Sequence, residues 1–430
     1  MSDSAHAAHG APARNLFGSR WVPRPEHVCE LDLGEALPGG FRAAGVACGI
    51  KHSADADLGL LVCDSPAAVS AARFTASSTA AAPVQLSRAR CELSRLRAVL
   101  VNSGCANAAT GGRGMEDAAK TQGAVAVAAG VGEAEVAVAS TGGISQYLPV
   151  DKMLRGILQA SAQLRVDGAG DFQRAIQTTD SFEKRANVEV ALPSGSVRIT
   201  AQCKGAGMIS PRFATMLCFV QTDAALSAQT ADLLLGVCVK RSFDRCSVDG
   251  QLSTNDTAIL IGSGASGVVI EPETEDELVF GQALDALLRS LAIMIVTDGE
   301  GAGRIARVLV RGGEVGGDPL AAETVARAVA NSPLVKAALH GGDPNWGRIV
   351  QTAGAALPGP APLALDVSIE GVAVCAGGTA LEVDERALAR AVQGPEIEYE
   401  IALPGEGCET EVFFSDLSQD YVTLNAEYTT

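Results

Sequence analysis

Thr215 is the residue whose surroundings could turn a side chain into a nucleophile. It lies in residues 204–224, KGAGMISPRFATMLCFVQTDA, where Gly205 and Gly207 give a pliable backbone and Pro211 stops any helix. Residues 213–220 read as a buried strand entered from a turn, apolar except at Thr215. A threonine hydroxyl is a weak nucleophile that needs a base beside it, and a chain break ahead of Thr215 would create one on the same residue. The freed α-amine has a reference pKa of about 7.7 to 8, far nearer neutrality than the roughly 10.4 of a lysine. Small Ala214 leaves room for the hydroxyl to attack the preceding carbonyl, an N-to-O acyl shift that would cut the chain at Ala214/Thr215. On residue type and position alone, the commoner fate is a packed β-branched threonine with its hydroxyl on backbone.

The surrounding elements alternate strand and helix. Residues 45–50 and 58–63 read as a hairpin, and 97–101 as a strand running into a loop of small residues at 102–108. Residues 115–130 have helical spacing, and the strand 135–140 ends in Thr141-Gly142-Gly143. Residues 187–192 and 196–202 alternate about Pro193-Ser194-Gly195, a second hairpin that delivers the chain to Lys204. Beyond Thr215 come helices at 227–243, 274–296 and 320–339, the last interrupted near Pro333. Gly262 to Gly267 formally satisfies GxGxxG, but the residues after it are β-branched and open no helix onto a pyrophosphate. It reads as a glycine-rich turn between strands.

Composition bounds the function. A net charge of −17 argues against a duplex-binding surface, so small or diffusible partners are expected and nucleic acid is not. Eleven cysteines without a CxxC pair, and five histidines with three in the first 27 positions, point away from zinc and from histidine catalysis. Cysteines among apolar neighbours indicate a reducing cytosol. No signal-peptide core or bilayer-length apolar run stands out, which places the chain in the cytoplasm, away from membranes. Few aromatics and 47 glycines call for closely apposed small residues, a layered α/β body. Residues 1–30 read as a loose tail.

The 204–217 segment also resembles the self-cleavage segment of the ornithine acetyltransferase (bifunctional glutamate N-acetyltransferase) family, whose pattern KGxGMIxPxxATML is matched from Lys204 to Leu217. Seven more stretches resemble that family's motifs in the same order: VNSGCANA from 101, STG from 140, TTD from 178, VDGQLSTNDT from 248, DGEGA from 298, DPNWGRI from 343 and DYVTLNAEYTT from 420. The resemblance implies a precursor cut into an α chain, 31–214, and a β chain, 215–430, that begins with the nucleophile. It implies Thr141 and Gly142 as the oxyanion-stabilising pair, where each donor commonly lowers a barrier by about 3 kcal/mol. It also implies substrate-binding roles for Thr178, Lys204, Thr215, Glu300, Asn425 and Thr430. The implied reaction carries acetyl from N2-acetylornithine to glutamate through acetyl-Thr215, with no cofactor and no metal. The implied fold is the layered α/β sandwich of self-processing enzymes of the DmpA aminopeptidase type, mixed sheets with packed helices, assembled as α2β2.

Two stretches read first as structural: Asp343 to Arg348, a turn with a packed Trp346, and Ser253 to Asp256, a loop ordered by its own side chains, with a place near the pocket left open. The pattern departs from the family at Arg212-Phe213 and at Cys105. Two alternatives stay open: an N-terminal-nucleophile amidase or aminopeptidase in which water replaces glutamate, and a non-catalytic binding protein of the same fold.

Overall fold

The computed structural model describes residues 15–210, 216–313, 320–357, 359 and 361–427. The chain divides into two compact bodies, one of residues 16–244 and 251–295, the other of residues 245–250 and 296–428. Both are α/β with mixed sheets, as expected from the sequence.

In the first body two sheets lie face to face. The larger has six strands in the order Val28–Glu30, Lys184–Leu192, Gly195–Lys204, Leu217–Thr222, Thr257–Gly262 and Val69–Phe74. Its pairs are antiparallel except Leu217–Thr222 beside Thr257–Gly262. The smaller has four strands: Phe41–Val46, Leu58–Cys63, Ala98–Cys105 and Val136–Gly143, the last pair parallel.

Successive side chains of a strand point to opposite faces, so every strand of the smaller sheet feeds two cores. Leu61, Val99, Val101 and Ala139 meet Leu217, Phe219, Ile259 and Ile261 of the larger sheet. Leu60, Leu100 and Val138 instead meet helices Gly111–Ala129 and Val150–Ala162 through Val125, Met153 and Ile157. Helix Ala169–Ile176 enters the inner core, where Phe172 meets Phe219 edge-on at 5.5 Å between ring centres. Gly59 is what lets it in, since a Cβ there would lie 2.9 Å from the Phe172 ring. The abundance of small residues serves this close apposition.

The second body has a seven-stranded sheet in the order Cys246–Ser247, Glu409–Ser415, Ile305–Arg311, Glu396–Ala402, Asp366–Ile369, Val372–Ala376 and Thr379–Ala380. Helices Ala321–Asn331, Pro333–Gly341 and Trp346–Ala356 cover it. The expected interruption falls at Ser332, which ends the first of these helices and caps the second by accepting from Val335 N at 3.4 Å. Trp346 packs against this core, and Asn345 caps the helix that Trp346 opens.

Three expectations are corrected. The hairpin strand is Phe41–Val46, not 45–50, because the amides of Cys48, Gly49, Ile50 and Lys51 all donate to the buried Asp57 carboxylate and leave the ladder. The loose tail does not reach residue 30: Trp21, Val22 and Val28 are buried, and Val28–Glu30 pairs with Lys184–Leu192. Helix Glu275–Thr297, with a mean hydropathy of 1.7, is long and apolar enough to span a bilayer, although no such run stood out in sequence. Its most apolar window is 72% buried inside the protein, which makes it a core helix. The reading of Gly262 to Gly267 as a turn holds, since strand Thr257–Gly262 is followed by strand Val269–Ile270 with no helix between them.

Candidate active site

Sheet register brings the first residues of the site together. Lys204, last in its strand, pairs across the ladder with Leu217, two residues past position 215. Thirteen residues of separation in sequence between Lys204 and Leu217 thus become a direct cross-strand pair. Lys204 is 3% exposed, and its Nζ donates to Thr178 Oγ1 at 2.8 Å and Thr141 Oγ1 at 3.2 Å. Three of the expected residues therefore meet around one ammonium group. Thr141 still has its own hydroxyl hydrogen to give, and accepting from a cation strengthens it as a donor.

Thr141 and Gly142 lie at the end of strand Val136–Gly143, where the register with Ala98–Cys105 slips at Cys105. Gly142 has φ +126, and a Cβ on it would come within 2.4 Å of the Gly104 carbonyl carbon. Only glycine fits that backbone and that gap. Gly142→Ala is expected to destabilise the fold by about 1–3 kcal/mol and, if Thr141 and Gly142 are the oxyanion pair that the resemblance implies, to cut kcat roughly 100-fold. Thermal melting and initial rates check the two parts separately. Asn102 pins the same turn, accepting from Ser140 Oγ at 2.6 Å and donating to Cys105 O at 2.8 Å. Nearby, Thr110, Met115, Ile144 and Thr254 help to line a cavity of about 610 Å³.

Sequence reasoning missed four ionisable groups here. Asp180 and Lys184 form an ion pair at 2.8 Å with both side chains fully buried. Asp180 also accepts from Gly205 N at 2.8 Å and Thr178 N at 3.0 Å, so it fixes the backbone beside both Lys204 and Thr178. Burial alone would raise its pKa, but the Lys184 and Lys204 charges and the Gly205 amide hold the carboxyl below the usual range. Lys51, half-buried against Gly104, is pushed down by burial, which outweighs the nearby Asp57 and Asp55 charges. Asp256, wholly buried, accepts from Met216 N at 3.0 Å. The TTD motif hinted at Asp180, and the STNDT motif at Asp256. Neither announced its partner.

The loop role expected of residues 253–256 is present too: Ser253 Oγ accepts from Asn255 N at 3.0 Å, and Ser253 O from Thr75 Oγ1 at 2.7 Å. In the second body Glu300 and Asn425 meet, Asn425 Nδ2 donating to Glu300 Oε2 at 2.8 Å. Gly301 permits this approach, since a Cβ on it would stand 2.6 Å from Tyr421 N. Ala214, Thr215 and Thr430 lie outside the described residues.

A buried ammonium holding two hydroxyls beside a glycine-lined strand end can bind an anion and stabilise charge developing on a carbonyl oxygen. Comparison with known proteins bears on what kind of enzyme carries it. A model of the ArgJ family matches residues 42–430. The arginine biosynthesis bifunctional protein ArgJ of Rhodopirellula baltica is 43% identical over 402 residues, covering 92% of this chain and 96% of that protein. The protein of the same name from Nitratidesulfovibrio vulgaris is 42% identical over 397 residues, covering 91% of this chain and 99% of that one. The crystal structure of ornithine acetyltransferase complexed with ornithine from Mycobacterium tuberculosis is 36% identical, covering 44% of this chain and 99% of that one with a TM-score of 0.40. With the family model spanning all but the first 41 residues, and relatives above 40% identity matched over nearly their whole length, the chain belongs to the ArgJ family.

Proposed function

We propose that the chain moves the acetyl group of N2-acetylornithine to glutamate, through an acetyl-Thr215 intermediate that becomes possible once the precursor has cut itself at Ala214/Thr215. As a member of its family it is an acyltransferase of arginine biosynthesis with ornithine acetyltransferase (glutamate N-acetyltransferase) activity. An additional acetyl-CoA-dependent activity fits the word bifunctional in its relatives' names.

One observation carries the finer reading: the buried Lys204 ammonium gathers the hydroxyls of Thr141 and Thr178 on the strand that pairs with the segment following position 215. The reaction is a double displacement. The Thr215 hydroxyl, its proton taken by the residue's own α-amine, attacks the acetyl carbonyl, and ornithine leaves with that proton on its nitrogen. The glutamate amine then attacks the ester carbonyl, and Thr215 departs as a hydroxyl. In both steps the negative oxygen faces the Thr141 hydroxyl and the Gly142 amide. Lys204 holds a substrate carboxylate, with Thr178 beside it. Glu300, bonded to Asn425, is the proposed partner of a substrate ammonium. We further propose a cytoplasmic α2β2 assembly of the two fragments separated at Ala214/Thr215, the first carrying the residues up to 214 and the second residues 215–430.

Intact-mass measurement of the purified protein, joined to an assay of acetylornithine with and without glutamate, tests this reading. Two fragments, ping-pong kinetics and an acetylated Thr215 peptide are expected. Release of free acetate at the same rate without glutamate would make the enzyme a hydrolase instead.

A further inference from the structure

We propose that Asp256 is a positioning residue for the nucleophile: by gripping the Met216 amide it fixes the backbone directly after Thr215, both for self-scission and for acyl transfer. The inference rests on the reading of Thr215 given above, but its evidence lies elsewhere. Met216 N is covalently bonded to the carbonyl carbon of residue 215, so whatever orients this amide orients the threonine.

Two bonds hold Met216. Its N–H donates to Asp256 Oδ1 at 3.0 Å, and its carbonyl accepts from Thr257 N at 3.1 Å. The Asp256 backbone is tied in turn, its carbonyl accepting from Thr75 N at 3.0 Å. A carboxyl with 0% exposure is an expensive way to satisfy a single amide, which any buried carbonyl could serve as well. Moreover, Asp256 Oδ2 is fully buried and has no hydrogen-bond partner among the described residues, although the Thr75 and Ser253 hydroxyls lie near enough to the carboxyl to lower its pKa. A buried polar oxygen left over beside the reacting segment calls for an explanation.

Its protonation supplies one. Burial pushes the Asp256 carboxyl well above its usual pKa, and the Met216 amide, the Thr75 and Ser253 hydroxyls and the Lys204 charge offset this only in part. The shift runs toward the protonated form, in which one oxygen accepts from Met216 and the other has a hydrogen to donate. A raised pKa suits the proposed chemistry. An ionised carboxylate beside a freed α-amine would hold it as an ammonium and disable it as a base. An uncharged carboxyl orients the backbone without that penalty.

The test compares full-length wild type with Asp256→Asn and Asp256→Leu, following scission by intact mass and transfer by steady-state rates. Asparagine keeps an acceptor for Met216 and a donor in place of the acid O–H. Its scission rate and kcat are expected within about threefold of wild type, with the acid limb of kcat against pH unmoved. Leucine fills the same space without an acceptor. It is expected to fold yet cut and turn over at least about 100-fold more slowly, with KM little changed. Should it not fold, Asp256→Ser, too short to reach the amide, replaces it with the same expectation. A leucine or serine variant that cuts and transfers at the wild-type rate overturns the proposal. So does an asparagine variant that stays uncut, or whose acid limb moves by a pH unit or more. A wild-type chain that is active but never cut refutes the Thr215 reading itself, a result these variants cannot imitate.

Discussion

Thr215→Ala is expected to yield one unbroken polypeptide of 430 residues with acetyl transfer reduced by about 10⁴-fold or more. Both losses have one origin. The hydroxyl that would attack the Ala214 carbonyl is the hydroxyl that would later carry the acetyl group, and without the cut no α-amine exists at position 215 to serve as base. A denaturing gel and intact mass report the first loss, and the glutamate-dependent assay the second. Thr215→Ser separates them, since serine restores a hydroxyl in the same place. It is expected to be cut and to retain measurable transfer. A Thr215→Ala protein that transfers acetyl at the wild-type rate would sink the proposed chemistry, whatever its mass.

The largest effect on stability is expected at Asp180. Asp180→Asn removes one charge of an ion pair whose two side chains are fully buried, together with a carboxylate that accepts from the Gly205 and Thr178 amides. Breaking a buried pair by changing one partner typically costs about 3–5 kcal/mol, because the remaining charge keeps its desolvation without its attraction. Urea unfolding of the cleaved and uncleaved forms should show a loss of that order. The pH dependence follows from the direction of the shift. A carboxyl whose folded-state pKa lies below its unfolded value of about 3.9 contributes stability that is complete above that value and disappears as pH falls through the depressed folded one. Wild type should therefore hold this contribution throughout the neutral range and lose it only in strong acid. The Asn variant should lack that acid-dependent component at every pH. Activity should fall too, because Asp180 steadies the backbone on either side of Lys204 and Thr178.

Much of the fold was legible in sequence where local rules and tertiary structure agree. The hairpin of Lys184–Leu192 and Gly195–Lys204 follows from alternation about Pro193-Ser194-Gly195, and the helix break at Ser332 from Pro333. Where they disagree, a side chain distant from the segment decides. Residues 48–51 have strand-like composition, but the Asp57 carboxylate takes their amides. Nothing within 48–51 announces that. The site divides the same way. Thr141, Thr178 and Lys204 stand in motifs, yet that one ammonium gathers both hydroxyls depends on which strands are neighbours and in what register. Lys184 was passed over, and Asp256 was read first as part of an ordered loop, because burial of an ionisable group is invisible until the sheets are assembled. Trp21 and Val22 sit in a polar, proline-bearing stretch whose composition conceals that both are buried.

Strand Leu217–Thr222 is an interior member of its sheet, with Gly195–Lys204 on one side and Thr257–Gly262 on the other. A cut before Thr215 places the first of these neighbours on one fragment and the second on the other, so the severed molecule stays stitched by an unbroken ladder. The change is felt only on unfolding. The intact precursor can refold as a single molecule at any dilution, whereas two unlinked fragments must find each other, at a rate that falls with concentration. Maturation would thus convert a reversible fold into one preserved by its unfolding barrier, and loss of the mature protein on heating should be one-way while the precursor recovers.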